Sequence, residues 1–157
     1  MLVAITTIFF MKNGEFHPKR GVGFNANRTG RLMARHLTKI FHNEGVSLNG
    51  DQWPILLHLW FKDGMNQQEI ADTIFRDKAT IARNIHVLEK ENLVIRVADE
   101  NDKRNNKIYL TFKGKELESK VLPVVFQLKE KAQRGIDPDE IEVCNKVLEK
   151  IYDNLNK

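Results

Sequence analysis

Residues 66–111 constrain this chain more than any other stretch. Asn66 followed three residues later by Glu69, in N-Q-Q-E-I-A-D-T-I, is a capping-box pattern that starts a helix near 66–67, and Ile70, Ala71 and Ile74 give it one apolar face. The helix is short, about two turns. After the break F-R-D, Asp77 is placed to cap a second helix, K-A-T-I-A-R-N-I-H-V-L-E-K-E, whose buried side is lined by Ile81, Ile85 and Leu88. Lys78, Thr80, Arg83 and His86 fall on its other sides. Two strand-forming runs follow, L-V-I-R-V-A (93–98) and I-Y-L-T (108–111), separated by D-E-N-D-K-R-N-N-K (99–107). A polar Asp/Asn-rich segment between two such runs predicts a β-hairpin with a charged tip. Two helices with a tight break, then a charged hairpin, make a winged helix-turn-helix pattern.

The flanks predict more helix. From about Asn25 to His42, Leu32, Leu37, Ile40 and Phe41 fall roughly on one stripe, while Arg28, Arg31, Arg35 and Lys39 take the remaining positions. A helix from about Asn49 to Phe61 carries Trp53, Leu56, Leu57 and Trp60 at helical spacing, with Pro54 in its first turn, where proline is tolerated. Beyond the hairpin, T-F-K-G-K-E-L opens one long helix with Leu117, Val121, Leu122, Val125 and Leu128, bent at Pro123. Gly135 ends it, Asp137 caps the next helix, Pro138 takes the first position and Glu140 completes a capping box. There Ile141, Cys144, Leu148, Ile151 and Leu155 step by three and four residues, a heptad seam. The fold class is mainly α with a small β-hairpin wing, a winged helix-turn-helix with added N- and C-terminal helices. The apolar start M-L-V-A-I-T-T-I-F-F-M is too short to span a bilayer and lacks the flanks of a signal peptide. It reads as a strand or short packed segment, with Met11 an alternative start.

Composition narrows the function. A chain of 157 residues is one domain's worth, and its single cysteine excludes an intramolecular disulfide or a multi-cysteine metal cluster. Cys144 in a heptad seam reads as a small core residue rather than a redox sensor. None of the five histidines pairs with a carboxylate or cysteine at a metal-ligand spacing, so no metal or cofactor is implied. Glycine-rich phosphate loops, nucleophile elbows and paired-carboxylate motifs are absent, which argues against an enzyme. Net charge is +4, and residues 1–47 hold seven Lys/Arg against two Asp/Glu. That bias favours polyanions, through placed residues on a fold rather than a lysine-rich tail. Trp53 and Trp60 could line a ligand cavity, although their spacing fits plain core.

A helix fits the DNA major groove, where side-chain donors distinguish base pairs, and a thin basic-tipped hairpin reaches the minor groove. S-L-N-G-D-Q-W-P-I-L, N-Q-Q-E-I-A-D, D-K-A-T-I-A-R-N-I-H-V-L-E-K-E-N-L-V-I-R, D-K-R and L-T-F-K-G-K-E-L follow one another in the order and spacing of the MarR family of bacterial transcriptional regulators. The resemblance covers roughly residues 25–155. It implies a cytoplasmic homodimeric regulator, a repressor, that binds a palindromic operator in double-stranded DNA and has no membrane partner. In the family a small-molecule effector or oxidant often tunes DNA affinity. The resemblance divides the chain into an N-terminal extension (1–24), dimerisation helices (25–47 and 115–157) and a DNA-binding domain (48–114).

Residue by residue, D-K-A-T-I-A-R matches the start of the family's recognition helix, so Lys78, Thr80, Arg83 and His86 become contacts to bases or phosphates. N-Q-Q-E matches the supporting helix, where Gln67 would meet phosphate through its amide and the helix N-terminus. D-K-R matches the wing signature, with Lys103 and Arg104 as contacts, Arg104 in the minor groove, and Asp102 orienting them. Leu93, Leu110 and Gly114 match packing positions. Leu32, Leu37, Ile141, Cys144, Leu148, Ile151 and Leu155 are expected at the dimer interface. The family usually has glycine where Asn92 stands, a position where asparagine tolerates a left-handed turn. The rival reading is a dimeric protein-interaction adaptor that reuses the fold without binding DNA; it would not need basic residues on the exposed face of the second short helix.

Overall fold

The structure is a computed structural model and describes residues 21–99 and 105–156. Helix α1 (Val22–Asn43) buries Leu37 and Phe41 and ends where Gly45 turns left-handed. A capping turn follows. The Asn49 side chain accepts hydrogen bonds from the Asp51 and Gln52 amides, while the Asn49 amide donates to Gln52 Oε1. This reciprocal pairing satisfies Gln52, which is buried, and it delays α2 to Trp53–Phe61, four residues later than the apolar spacing indicates. Pro54 sits in the first turn of α2, as expected.

Strand β1 (Met65–Asn66) leads into α3 (Gln67–Thr73), whose Asn66/Glu69 capping box is fully formed. Helix α4 (Lys78–Lys90) follows, then β2 (Val94–Ala98) and β3 (Asn106–Leu110). The sheet has order β1-β3-β2, all antiparallel, so the hairpin gains a third strand that the sequence did not disclose. Met65 pairs with Ile108, which anchors the hairpin base to the start of α3.

The C-terminal part departs from the expected single long helix. Thr111 caps a short α5 (Phe112–Glu116) by accepting from the Gly114 amide, and the chain turns at Leu117 into α6 (Glu118–Gln133). Gly114 is the constraint. A Cβ built there would lie 2.1 Å from the Leu93 carbonyl oxygen, so α5 presses directly on the strand entry and the chain re-aims after it. Pro123 lies inside α6 without ending it. Gly135, at φ +77°, terminates α6, and α7 (Pro138–Leu155) opens with the Asp137/Glu140 capping box.

Phe41, Ile55, Leu56, Leu59, Ile70, Ile81, Ile85, Leu88, Val94, Ile108 and Val121 form the fully buried centre of one core. Each contributes about 1.5–3 kcal/mol relative to exposure. Trp53 and Trp60 are half-buried against it, and the Trp60 indole donates to the Gly114 carbonyl at 2.9 Å, so both serve packing. Helix α7 contributes no buried residue.

Candidate nucleic-acid interface

The interface is built around the turn from α3 to α4. Phe75 adopts φ +54°, a left-handed conformation that reverses the chain in few residues, and the Arg76 amide donates back to the Ala71 carbonyl at 3.0 Å. Arg76 Nη2 reaches Asp51 Oδ1 at 2.9 Å, tying the turn to the start of α2. Gln67 Nε2 donates to the Lys78 carbonyl at 3.3 Å and so links the N-termini of the two helices. One amide hydrogen of Gln67 thus braces the motif, and the other stays available for the phosphate contact expected of this residue.

At the start of α4, Asp77 accepts from the Thr80 amide at 2.8 Å, and Arg83 Nη2 donates to Thr80 Oγ1 at 2.9 Å. The Thr80 hydroxyl, then its amide, hold the Asp77 carboxyl below its ordinary pKa, with Arg83 adding a smaller push in the same direction. The cap thus stays ionised at neutral pH, and Arg83 is held along the outer face of the helix. Ile81, Ile85 and Leu88 are completely buried. Lys78, Arg83 and His86 are exposed and Thr80 is half-buried. The buried triplet fixes the roll of α4, and that roll turns Lys78, Arg83 and His86 outward.

Beside it stands the hairpin. Arg96 Nη1 pairs with Glu89 at 2.7 Å, joining β2 to α4, and Lys107 pairs with Asp99 at 3.3 Å near the tip. Asn92 takes φ +56°, so the left-handed turn at this position forms with asparagine in place of glycine. Its carbonyl accepts from the Thr111 hydroxyl at 2.7 Å. Asp102, Lys103 and Arg104 lie outside the described residues. The Arg76–Asp51 and Arg96–Glu89 pairs escaped the sequence reading, because each crosses from one element to another, where no helical or strand spacing announces it.

The expected dimer residues divide into two groups. Leu32, Cys144, Leu148, Ile151 and Leu155 are exposed in the single chain, Leu155 at 84%, and Ile141 is half-buried. Leu37 is instead 5% exposed, packed into the chain's own core. Its assignment to an interface is corrected: α1 has two apolar sides, and Leu37 shares the inward one with Phe41.

The model of the MarR family matches residues 48–105, from the turn before α2 to the hairpin. The chain is 28% identical over 132 residues to the HTH-type transcriptional regulator YybA of Bacillus subtilis, covering 80% of this chain and 85% of that one. A MarR transcriptional regulator from Methanosarcina mazei Go1 superposes with TM-score 0.75 at 28% identity, covering 85% of this chain and 94% of its own. The transcriptional regulator PA3341 superposes with TM-score 0.74 at 30% identity, over 87% of this chain and 98% of its own. The winged helix, its capped and braced recognition helix and this likeness along nearly the whole chain agree: the chain belongs to the MarR family of transcriptional regulators.

Proposed function

We propose that the protein regulates transcription as a homodimer that binds an inverted repeat in double-stranded DNA, acting as a repressor. The observation that carries this is α4: its core side is completely buried, its outer side presents Lys78, Arg83 and His86, and its first turn is locked by Asp77 and Thr80. Such a helix enters the major groove with its first turn and Arg83 already ordered. Residues 48–114 form the DNA-binding domain, with Lys78, Thr80, Arg83 and His86 meeting bases and phosphates. The wing, through Lys103 and Arg104 oriented by Asp102, reaches the minor groove. Residues 25–47 and 115–157 pair the two subunits through Leu32, Ile141, Cys144, Leu148, Ile151 and Leu155.

A small effector tunes the affinity. A cleft of about 470 Å³ between the 44–47 turn, the end of α4 and α5, lined by Glu44, Glu91, Lys113, Glu116 and Lys120, has the size of a small-ligand site. The protein works in the cytoplasm, where its DNA is; among the described residues no helix is long and apolar enough to cross a membrane.

Selection of binding sites from random duplex DNA tests the reading. It should return a palindrome whose half-sites are about one helical turn apart. Recovery of unrelated sequences, with no two-fold pattern, would refute it.

A further inference from the structure

Helix α1 carries four cations, Arg28, Arg31, Arg35 and Lys39, and no Asp or Glu in its 22 residues. Arg31–Arg35 and Arg35–Lys39 are both like-charge pairs at i,i+4, an arrangement that costs helix stability. A face kept only for solubility gains nothing from that cost. Arg28 lies over the Phe24 ring, 5.7 Å from its centroid. Arg31, Arg35 and Lys39 have no carboxylate partner among the described residues.

Those three side chains are also on one wall of a groove. Two adjoining hollows, of about 590 and 550 Å³, share Ala34, Arg35 and Asp51; Lys39 and His42 extend the first and Arg31 the second. The facing wall is Asn49, Gly50, Asp51 and Arg76. Its acid, Asp51, is neutralised by Arg76 at 2.9 Å. The groove is fixed in shape, because the Gly50 amide donates to Thr38 Oγ1 at 3.0 Å and a Cβ at Gly50 would sit 2.7 Å from that of Ala34.

Length selects the occupant. From Arg31 to His42 is eleven residues, about 16 Å at the helical rise. A small carboxylate or phosphate meets one or two of these cations, whereas a DNA strand presents a charge about every 3.4 Å along the duplex axis. Position agrees: Arg76, on the far wall, immediately precedes Asp77, the cap of α4. We propose that the α1 groove, through Arg31, Arg35 and Lys39 and across from the neutral Arg76–Asp51 pair, binds the sugar–phosphate backbone beside the bases that α4 reads. This rests on the DNA-binding function above and adds a second, sequence-blind contact to it.

The test uses the full chain with R31Q, R35Q and K39Q combined, and the single variants R35Q and K39Q should the triple one not fold. Binding to the selected operator and to a scrambled duplex is titrated from 50 to 200 mM salt, alongside circular dichroism and sedimentation to confirm fold and assembly. Phosphate contacts carry no sequence information, so the triple variant should weaken on both duplexes by the same factor, about tenfold or more. The slope of log affinity against log salt should flatten by about 1 per contact removed. Unchanged binding on both duplexes, or a loss confined to the operator, would overturn the proposal. So would saturable binding of pyrophosphate that the triple variant loses while it keeps wild-type DNA affinity. Failure of the wild type to prefer operator over scrambled duplex would instead count against the DNA-binding function itself.

Discussion

At the scale of single residues, Asp77 joins fold to function, since the carboxylate that caps α4 also holds Thr80, and Thr80 holds Arg83. Its pKa is lowered in the folded chain, so the carboxylate binds its proton less readily there than in the unfolded chain. The contribution of this group to stability is therefore complete above the unfolded value and fades as pH falls through the lowered folded one. Asp77→Asn should remove that dependence: the acid limb of a plot of melting temperature against pH should become shallower than in the wild type. Gly114 gives a steric prediction. The Leu93 oxygen that a Cβ would strike also accepts from the Thr111 amide at 3.1 Å, so it cannot retreat without losing that bond. Gly114→Ala should cost about 3 kcal/mol, seen as a lower urea midpoint with an unchanged slope. The wing makes a third prediction from sequence alone. Arg104 follows the Asp102 signature, and a guanidinium suits a narrow minor groove because it is weakly hydrated and forks to several acceptors. Arg104→Ala should lose about 1–3 kcal/mol per half-site at fixed salt, with folding intact, whereas Glu100→Ala should be neutral or bind slightly tighter. Equal affinities for the two variants would reduce the tip to a solvated loop.

Among the elements, caps were the most legible feature, because a cap is a local bargain between one side chain and the next few amides. Asn66, Asp77, Asp137 and Gly135 all stand where the sequence put them. Asn66→Ala should therefore cost about 1 kcal/mol and weaken DNA binding as well, since α3 braces α4 through Gln67. A melting shift with no change in affinity would separate the cap from the brace. The core side of α4 was equally plain, because Ile81, Ile85 and Leu88 repeat at helical spacing within one element. Tertiary decisions were less legible. Strand β1 is two residues long and exists only because β3 lies beside it. The Asn49–Gln52 turn that postpones α2 looks like a first helical turn in sequence, as both share a propensity for Asn, Gly and Asp near helix starts. The break at Leu117 follows from the contact of Gly114 with Leu93, a meeting of residues 21 apart. Leu37 shows the same limit: periodicity marks a residue as apolar-facing, but it does not say whose core it faces.

For the molecule as a whole, α7 is the unfinished part. It is 18 residues long, well capped, and has no fully buried residue, while Leu148, Ile151 and Tyr152 are 37–38% exposed and Leu155 84%. The ring of Tyr152 rests 4.4 Å from that of Phe75, centroid to centroid, which touches the helix-turn-helix turn but covers little of the apolar face. A lone helix of this length is marginal in water, so its order requires a partner surface. In the proposed homodimer a second copy would supply one by two-fold symmetry, presenting the same seam to itself, and the same axis would set two α4 helices against one face of the duplex. Assembly and DNA recognition then share one geometry, and breaking the first must weaken the second. Leu148→Glu combined with Ile151→Glu should change sedimentation at micromolar concentration from twice 18.2 kDa to 18.2 kDa. Neither residue belongs to the buried core, so the winged helix should keep its melting transition. Affinity for the full palindrome should fall toward that for a single half-site, because the second site is no longer bound at the effective concentration of a linked pair. A wild-type chain that already sediments at 18.2 kDa, or a double variant that holds the palindrome as tightly as wild type, would show that α7 does not assemble the DNA-binding unit.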